Sequence, residues 1–205
     1  MRGQPRDDRG AAAADVIRVV IPYAGSRGKS RLELGSGARE ELSLAMLAEV
    51  LAAAFDVGRV WIVTPDSGAA TYATRATWIR DPGGGQGAAV EAGLREIGTK
   101  PALVVNADLP TLTPDDLLAL DEAIPEHGIA IAPADDGTTN ALGLSDASLF
   151  TPLYGEGSAA RFRAHAEGSG LTAVDVARPG LRDDVDMLAD LERILPELTP
   201  RMVKP

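Results

Sequence analysis

Short apolar runs of strand length alternate along this chain with segments whose apolar residues recur at helical spacing, and that alternation predicts an α/β fold. The strand-like runs are Arg18–Ile21, Val60–Val63, Thr77–Arg80, Ala102–Asn106, Ile129–Ala132, Asn140–Leu144 and Thr172–Val176. Helices are expected at Ala38–Ala54, where Leu42, Ala45, Met46, Val50 and Ala53 make a largely apolar face, at Gly87–Ile97, from Thr113-Pro114-Asp115-Asp116, at Ser158–Glu167 and at Leu188–Leu198. Thr113 reads as an N-cap, Pro114 as the first helical residue, and Asp115 and Asp116 as first-turn acids that cap the helix. Ser158 reads as the cap of its own helix, and Asp190 and Glu192 as a solvated face.

The second half breaks the simple strand–helix series. Only Pro133–Thr139 separates two of the strands, a hairpin-sized connection with Asp136-Gly137 turn chemistry, so an antiparallel pair and a mixed sheet are expected. No internal repeat interrupts the 205 residues, which suggests a single domain over residues 16–205 behind a disordered tail, residues 1–15.

Composition narrows the function classes. A net charge of −10 argues against extended nucleic-acid binding. The absence of Cys removes disulfides, thiolate metal sites and Cys nucleophiles, and the two His, His127 and His165, lack the spacing of a zinc site. Met1–Asp15 has no apolar core of a signal peptide and no run reaches the ~20 residues that span a bilayer, so a cytoplasmic protein without membrane contact is expected.

Candidate chemistry concentrates in acidic and glycine-rich stretches. Ala102–Val105 is an apolar run that stops before Asn106-Ala107-Asp108-Leu109-Pro110, the profile of a buried strand delivering Asp108 to the rim of the sheet. Asp184 and Asp186 alternate onto one face of a short extended segment. Carboxylates in this pattern hold Mg²⁺ against phosphate oxygens, whereas singly each could cap a strand or start a helix. Ala24-Gly25-Ser26-Arg27-Gly28-Lys29-Ser30-Arg31 follows the first strand and gathers cations in an acidic chain, as a nucleoside triphosphate needs, although it lacks Walker A spacing and could be a solvated turn. Gly83-Gly84-Gly85-Gln86-Gly87 precedes a helix and either lines a purine and its phosphates or merely connects. Gly155-Glu156-Gly157-Ser158 heads another helix, suited to a phosphate or carboxylate or serving as a plain cap, and Thr138, Thr139 and Asn140 add donors for an anionic ligand.

In this order, Lys29-Ser30-Arg31-Leu32, Arg39, Thr64-Pro65-Asp66, Ala107-Asp108-Leu109-Pro110, Gly137–Leu142, Gly155-Glu156-Gly157-Ser158 and Asp184-Val185-Asp186 resemble the guanylyltransferases of deazaflavin coenzyme F-420 biosynthesis. Those enzymes join GTP to 2-phospho-L-lactate or phosphoenolpyruvate and release diphosphate. The resemblance implies a single-domain, Rossmann-like nucleotidyltransferase fold of the nucleotide-diphospho-sugar transferase type with a mixed central sheet. It implies that Asp108, Asp184 and Asp186 bind Mg²⁺, that Thr139, Asn140, Gly155 and Ser158 hold the three-carbon phospho-acid, and that Ala24, Gly25, Lys29, Gly85 and Gln86 line the nucleotide. On the same resemblance Asp108, Lys29 and Arg31 would carry the catalytic roles. Bacterial relatives tend to use phosphoenolpyruvate, and the Ala-, Arg- and Gly-rich composition leans that way.

Three positions depart from the family pattern. Many relatives carry Lys at the position of Tyr23, a Leu-Asn pair at Gln86-Gly87, and a His near Arg161-Phe162. The alternative readings are another nucleotidyltransferase, of the molybdenum-cofactor type, and a non-catalytic nucleotide-binding regulator. Oligomeric state is not legible.

Overall fold

The computed structural model describes residues 16–25 and 35–185. Seven strands form one sheet, β1 (Ile17–Pro22), β2 (Gly58–Thr64), β3 (Thr77–Arg80), β4 (Ala102–Val105), β5 (Gly128–Pro133), β6 (Thr139–Leu144) and β7 (Thr172–Asp175), in the order β3-β2-β1-β4-β6-β5-β7. β1 pairs parallel with β2 and β4, and β2 with β3. β6 runs antiparallel to both β4 and β5, and β7 returns parallel to β5. The sheet is mixed, as the short Pro133–Thr139 connection predicts. Asp136 accepts hydrogen bonds from the Thr138 backbone and hydroxyl at 2.8 and 2.7 Å, which closes that turn.

Strand alternation divides the core into two layers. Val19, Ile21, Leu103 and Val105 face Leu47, Val50, Leu117 and Leu120 on one side, where α1 (Ser36–Val57) and α4 (Pro114–Glu122) pack. Val20, Ala102 and Val104 face Val90, Leu94, Phe162 and Ala166 of α3 (Gln86–Ile97) and α5 (Ser158–Gly168) on the other. All four residues of β4 are buried, which is why its sequence is a continuous apolar run rather than an alternating one.

The Thr113 cap forms as expected. Thr113 and Asp116 exchange bonds in a capping box with Pro114 in the first turn, and Asp116 also pairs with Arg178 at 3.0 Å. The Ser158 cap does not form. Gly157 takes the cap position in the left-handed region, φ 65°, and Ser158 enters the helix as its first residue with its side chain turned inward.

Three short elements join the expected ones: α2 (Ser67–Tyr72), α6 (Pro179–Arg182) and a 3₁₀ turn at Ala147–Leu149. The expected helix Leu188–Leu198, Asp190, Glu192 and the tail 1–15 lie outside the described residues.

Candidate functional site

A cleft of about 270 Å³ opens at the carboxyl ends of β1 and β4. Strand order reverses there, β1 leading outward to β2 and β4 to the other half of the sheet, which is where open α/β folds bind ligands. Its walls are Tyr23, Ala24 and Gly25 after β1, Asp81, Gly85 and Gln86 before and at the start of α3, Asn106 and Asp108 after β4, and Ser43 of α1. Five predicted site residues (Ala24, Gly25, Gly85, Gln86 and Asp108) therefore share one cavity. Lys29, Arg31 and Asp186 lie outside the described residues.

The glycine-rich wall is shaped by backbone conformation. Asp81 accepts the Gly83 amide at 2.8 Å, and Gly83, Gly84 and Gly85 all hold positive φ, at 81, 93 and 91°. Any larger residue would be strained there. The run turns the chain into α3, whose first residue is Gln86.

Asp184 is carried to Asp108 by the main chain. The neighbouring Val185 amide donates to the Asp108 carbonyl at 3.3 Å, so the last described segment lies beside the rim of β4. Among the described residues no three carboxylate, His or Cys side chains converge; the third carboxylate of the expected set is Asp186. Asp108 and Asp184 present hard oxygen donors only, the chemistry a Mg²⁺-type cation requires.

Beyond β4 lies a second group of predicted residues. Thr139 and Ser158 are 1% and 0% exposed, and their hydroxyls bond each other at 2.9 Å, tying β6 to the first turn of α5. Asn140, 1% exposed, donates from Nδ2 to the Arg182 carbonyl at 3.1 Å. Arg182 in turn pairs with Asp135 of the β5–β6 turn. The three polar donors expected to meet an anion, Thr138, Thr139 and Asn140, are thus engaged within the protein. Gly155 is exposed, with φ 114°.

Residues 25–178 match the family model of the MobA-like NTP transferase domain. The chain is 38% identical over 189 residues to a phosphoenolpyruvate guanylyltransferase of Sphaerobacter thermophilus, covering 87% of this chain and 91% of that one. It is 38% identical over 167 residues to the enzyme of the same name from Geodermatophilus obscurus, covering 77% and 74%. This chain belongs to the phosphoenolpyruvate guanylyltransferase family. A solved structure from Desulfovibrio desulfuricans assigned to the nucleotide-diphospho-sugar transferases shares the fold, with a TM-score of 0.71 at 15% identity over 87% of this chain and 85% of that one.

The three departures from the guanylyltransferase pattern each acquire a structural partner. Tyr23 is buried, and its hydroxyl accepts from Ser43 Oγ at 3.2 Å. Burial raises the phenol's pKa above its usual value, with Asp66 and Glu40 adding to the rise and the Ser43 bond opposing it, so Tyr23 brings no charge to the cleft. Gln86 donates from Nε2 to Asn106 Oδ1 at 2.7 Å. Gly87 meets the loop before α5, because a Cβ at this position would lie 2.6 Å from Pro152 Cβ. The glycine lets the two loops touch.

Arg161 was not foreseen as a site residue. From the first turns of α5 its Nε and Nη2 donate to the Leu153 carbonyl at 3.2 and 2.9 Å, Nη2 to Tyr154 at 3.1 Å, and Nη1 to the Glu156 carbonyl. One turn on, His165 Nε2 bonds Thr151 Oγ1 at 2.9 Å. Phe162, buried, packs edge-on against Tyr154 with centroids 5.3 Å apart. One helix therefore holds the whole 151–157 loop, Gly155 included. No local pattern announces this, since the acceptors are main-chain carbonyls of no fixed sequence. Asn106 is the second unforeseen residue; its only signal is an amide side chain directly after an apolar strand.

No helix among the described residues is long and apolar enough to cross a membrane.

Proposed function

We propose that this chain transfers GMP from GTP to phosphoenolpyruvate, releasing diphosphate, as a step of coenzyme F-420 biosynthesis. The supporting observation is the convergence of Ala24, Gly25, Gly85, Gln86 and Asp108 on one cleft at the switch point of the sheet, in a chain 38% identical to phosphoenolpyruvate guanylyltransferases. A phosphate oxygen of the acceptor attacks the α-phosphorus of GTP in line. The new O–P bond forms as the bond to the β-phosphate bridging oxygen breaks, and the electron pair leaves with diphosphate. That oxygen is already anionic near neutral pH, so positioning and charge neutralisation carry the catalysis rather than a general base.

Nucleotidyltransferases of this kind use a divalent metal, which we assign as Mg²⁺; bound, it would supply charge neutralisation to the triphosphate. Asp108, Asp184 and Asp186 would hold it. Lys29 and Arg31 would neutralise the triphosphate and the leaving diphosphate. Gly85 and the start of α3 line the nucleotide. Gly155 and the loop around it receive the phospho-acid, while the Thr139–Ser158 pair and Asn140 fix the strand and helix that present that loop.

The deciding measurement is diphosphate release from GTP and Mg²⁺ with phosphoenolpyruvate, 2-phospho-L-lactate or 3-phosphoglycerate as acceptor. Release is expected with phosphoenolpyruvate, and faster than with the other two. Tight GTP binding with no turnover on any acceptor would make the chain a nucleotide-binding regulator instead.

A further inference from the structure

Asn106 makes three hydrogen bonds at the floor of the cleft, and their chemistry dictates the orientation of a neighbour. Its backbone N–H donates to the Asn140 carbonyl at 2.9 Å and its Nδ2 to the Thr139 carbonyl at 3.2 Å. A carbonyl only accepts, so the Asn106 amide has to turn its nitrogen toward Thr139 and its oxygen toward Gln86. Gln86 is then held with its own nitrogen on Asn106 Oδ1, at 2.7 Å. The Gln86 Oε1 faces no donor among the described residues, while the side chain forms part of the cleft wall beside Gly85. The main-chain carbonyl of β6 thus determines, through two amides, that the cleft offers an oxygen at this point and not an N–H.

We propose that Gln86 Oε1 reads the base of the bound nucleotide, and that Asn106 is the positioning residue that keeps it an acceptor. The inference rests on the nucleotide reading of this cleft given above. Guanine carries two donors side by side, N1–H and the 2-amino group, and an amide oxygen has two lone pairs to receive them. Cytosine and adenine each pair one amino donor with an acceptor nitrogen on the same edge, so they satisfy the oxygen less completely. A site built around one such contact rejects analogues that leave its polar group unpaired. Gln86 thereby replaces, with a side-chain amide, a position where many relatives carry leucine.

Calorimetric binding of GTP and of inosine triphosphate, each with Mg²⁺ and without acceptor, tests both halves. The inosine nucleotide retains N1–H and lacks only the 2-amino group. The unaltered protein is expected to prefer GTP by about three- to tenfold, the worth of one neutral hydrogen bond. In Gln86→Leu that preference should fall to about one, through weaker GTP binding rather than tighter inosine binding. Asn106→Ala should lose the preference to the same degree although Gln86 is present, and the double variant should be no worse than either. A general loosening of the site lowers both affinities and leaves the ratio alone. An unchanged ratio in Gln86→Leu, an exposed substitution that leaves the core intact, overturns the base-reading role; a collapsed ratio there with an intact one in Asn106→Ala overturns the positioning role. Should the unaltered protein bind CTP as well as GTP, the guanine-nucleotide reading falls first, and this proposal with it.

Discussion

The cleft and the group of residues beyond β4 are built by opposite means. On the side of β1 and α3 the surface is made of backbone, three consecutive glycines at positive φ and an exposed helix start, with few side-chain bonds to hold it. Across β4, three of the four residues predicted for the second substrate are buried and hydrogen-bonded within the protein, Thr139 to Ser158 and Asn140 to the Arg182 carbonyl, and the exposed loop that carries the fourth, Gly155, is gripped by Arg161. The contrast teaches that likeness of motif does not mean likeness of role. A glycine run shapes its surface by what it leaves out, whereas the Thr139–Ser158 pair ties β6 to the first turn of α5.

The largest expected effect removes the cleft carboxylate at the rim of β4, between the two regions. On the proposed reading Asp108→Asn removes a carboxylate that would hold the metal ion against the phosphates, and turnover at saturating Mg²⁺ and substrates should fall by at least about a hundredfold. The unfolding midpoint without metal should be unchanged or higher, since one repelling carboxylate is gone. Near-normal rates would remove Asp108 from the reaction.

Arg161→Ala separates the two regions. It strips the 153–156 carbonyls of a cation whose hydrogen bonds are each worth roughly 1.5–3 kcal/mol in a buried setting and less at this exposed position. The KM for the phospho-acid should rise about tenfold while GTP affinity measured by calorimetry stays within about twofold. Arg161→Lys should recover only part of the loss, because one ammonium lacks the planar fork that spans several carbonyls. Equal losses for both substrates would mean that the 151–157 loop serves the nucleotide too.

The smallest effect comes from Ser158→Ala. Its hydroxyl has Thr139 as partner and no solvent contact, so removal should lower stability to denaturant by about 1 kcal/mol. The KM for the phospho-acid should rise several-fold at most, well short of the Arg161 variant. A large KM effect with unchanged stability would instead put the hydroxyl in direct contact with substrate.

Much of this was legible in sequence, for reasons that differ by region. All seven strands were read close to their observed limits; burial on both faces makes a central strand such as Ala102–Val105 a continuous apolar run, while the edge strands β3 and β7 are largely exposed and were read from their short β-forming runs. The position of Asp108 followed from the same run, since a carboxylate directly after a buried strand has only the rim to occupy. The helices α2 and α6 escaped because six and four residues are too few for a helical period to repeat. Ser158 was misread as a cap because a serine ahead of an apolar helix face looks the same whether it lies outside the helix or opens it; Gly157, left-handed, took the role. Arg161 and Asn106 were invisible because their partners, main-chain carbonyls and, for Asn106, also the Gln86 amide, are brought near only by folding.

The contact between Gly87 and Pro152 has a consequence for how such a protein can change. Two surfaces that meet at a van der Waals boundary are not independent modules. A segment grafted from a relative with asparagine at position 87 would bring a side chain into space that Pro152 occupies, and the donor loop's merits would be masked by the misfit. A library that varies residues 83–87 alone samples only what one proline on a distant loop permits. Varying the pair together opens routes that neither position offers singly, because the effects of touching residues do not add.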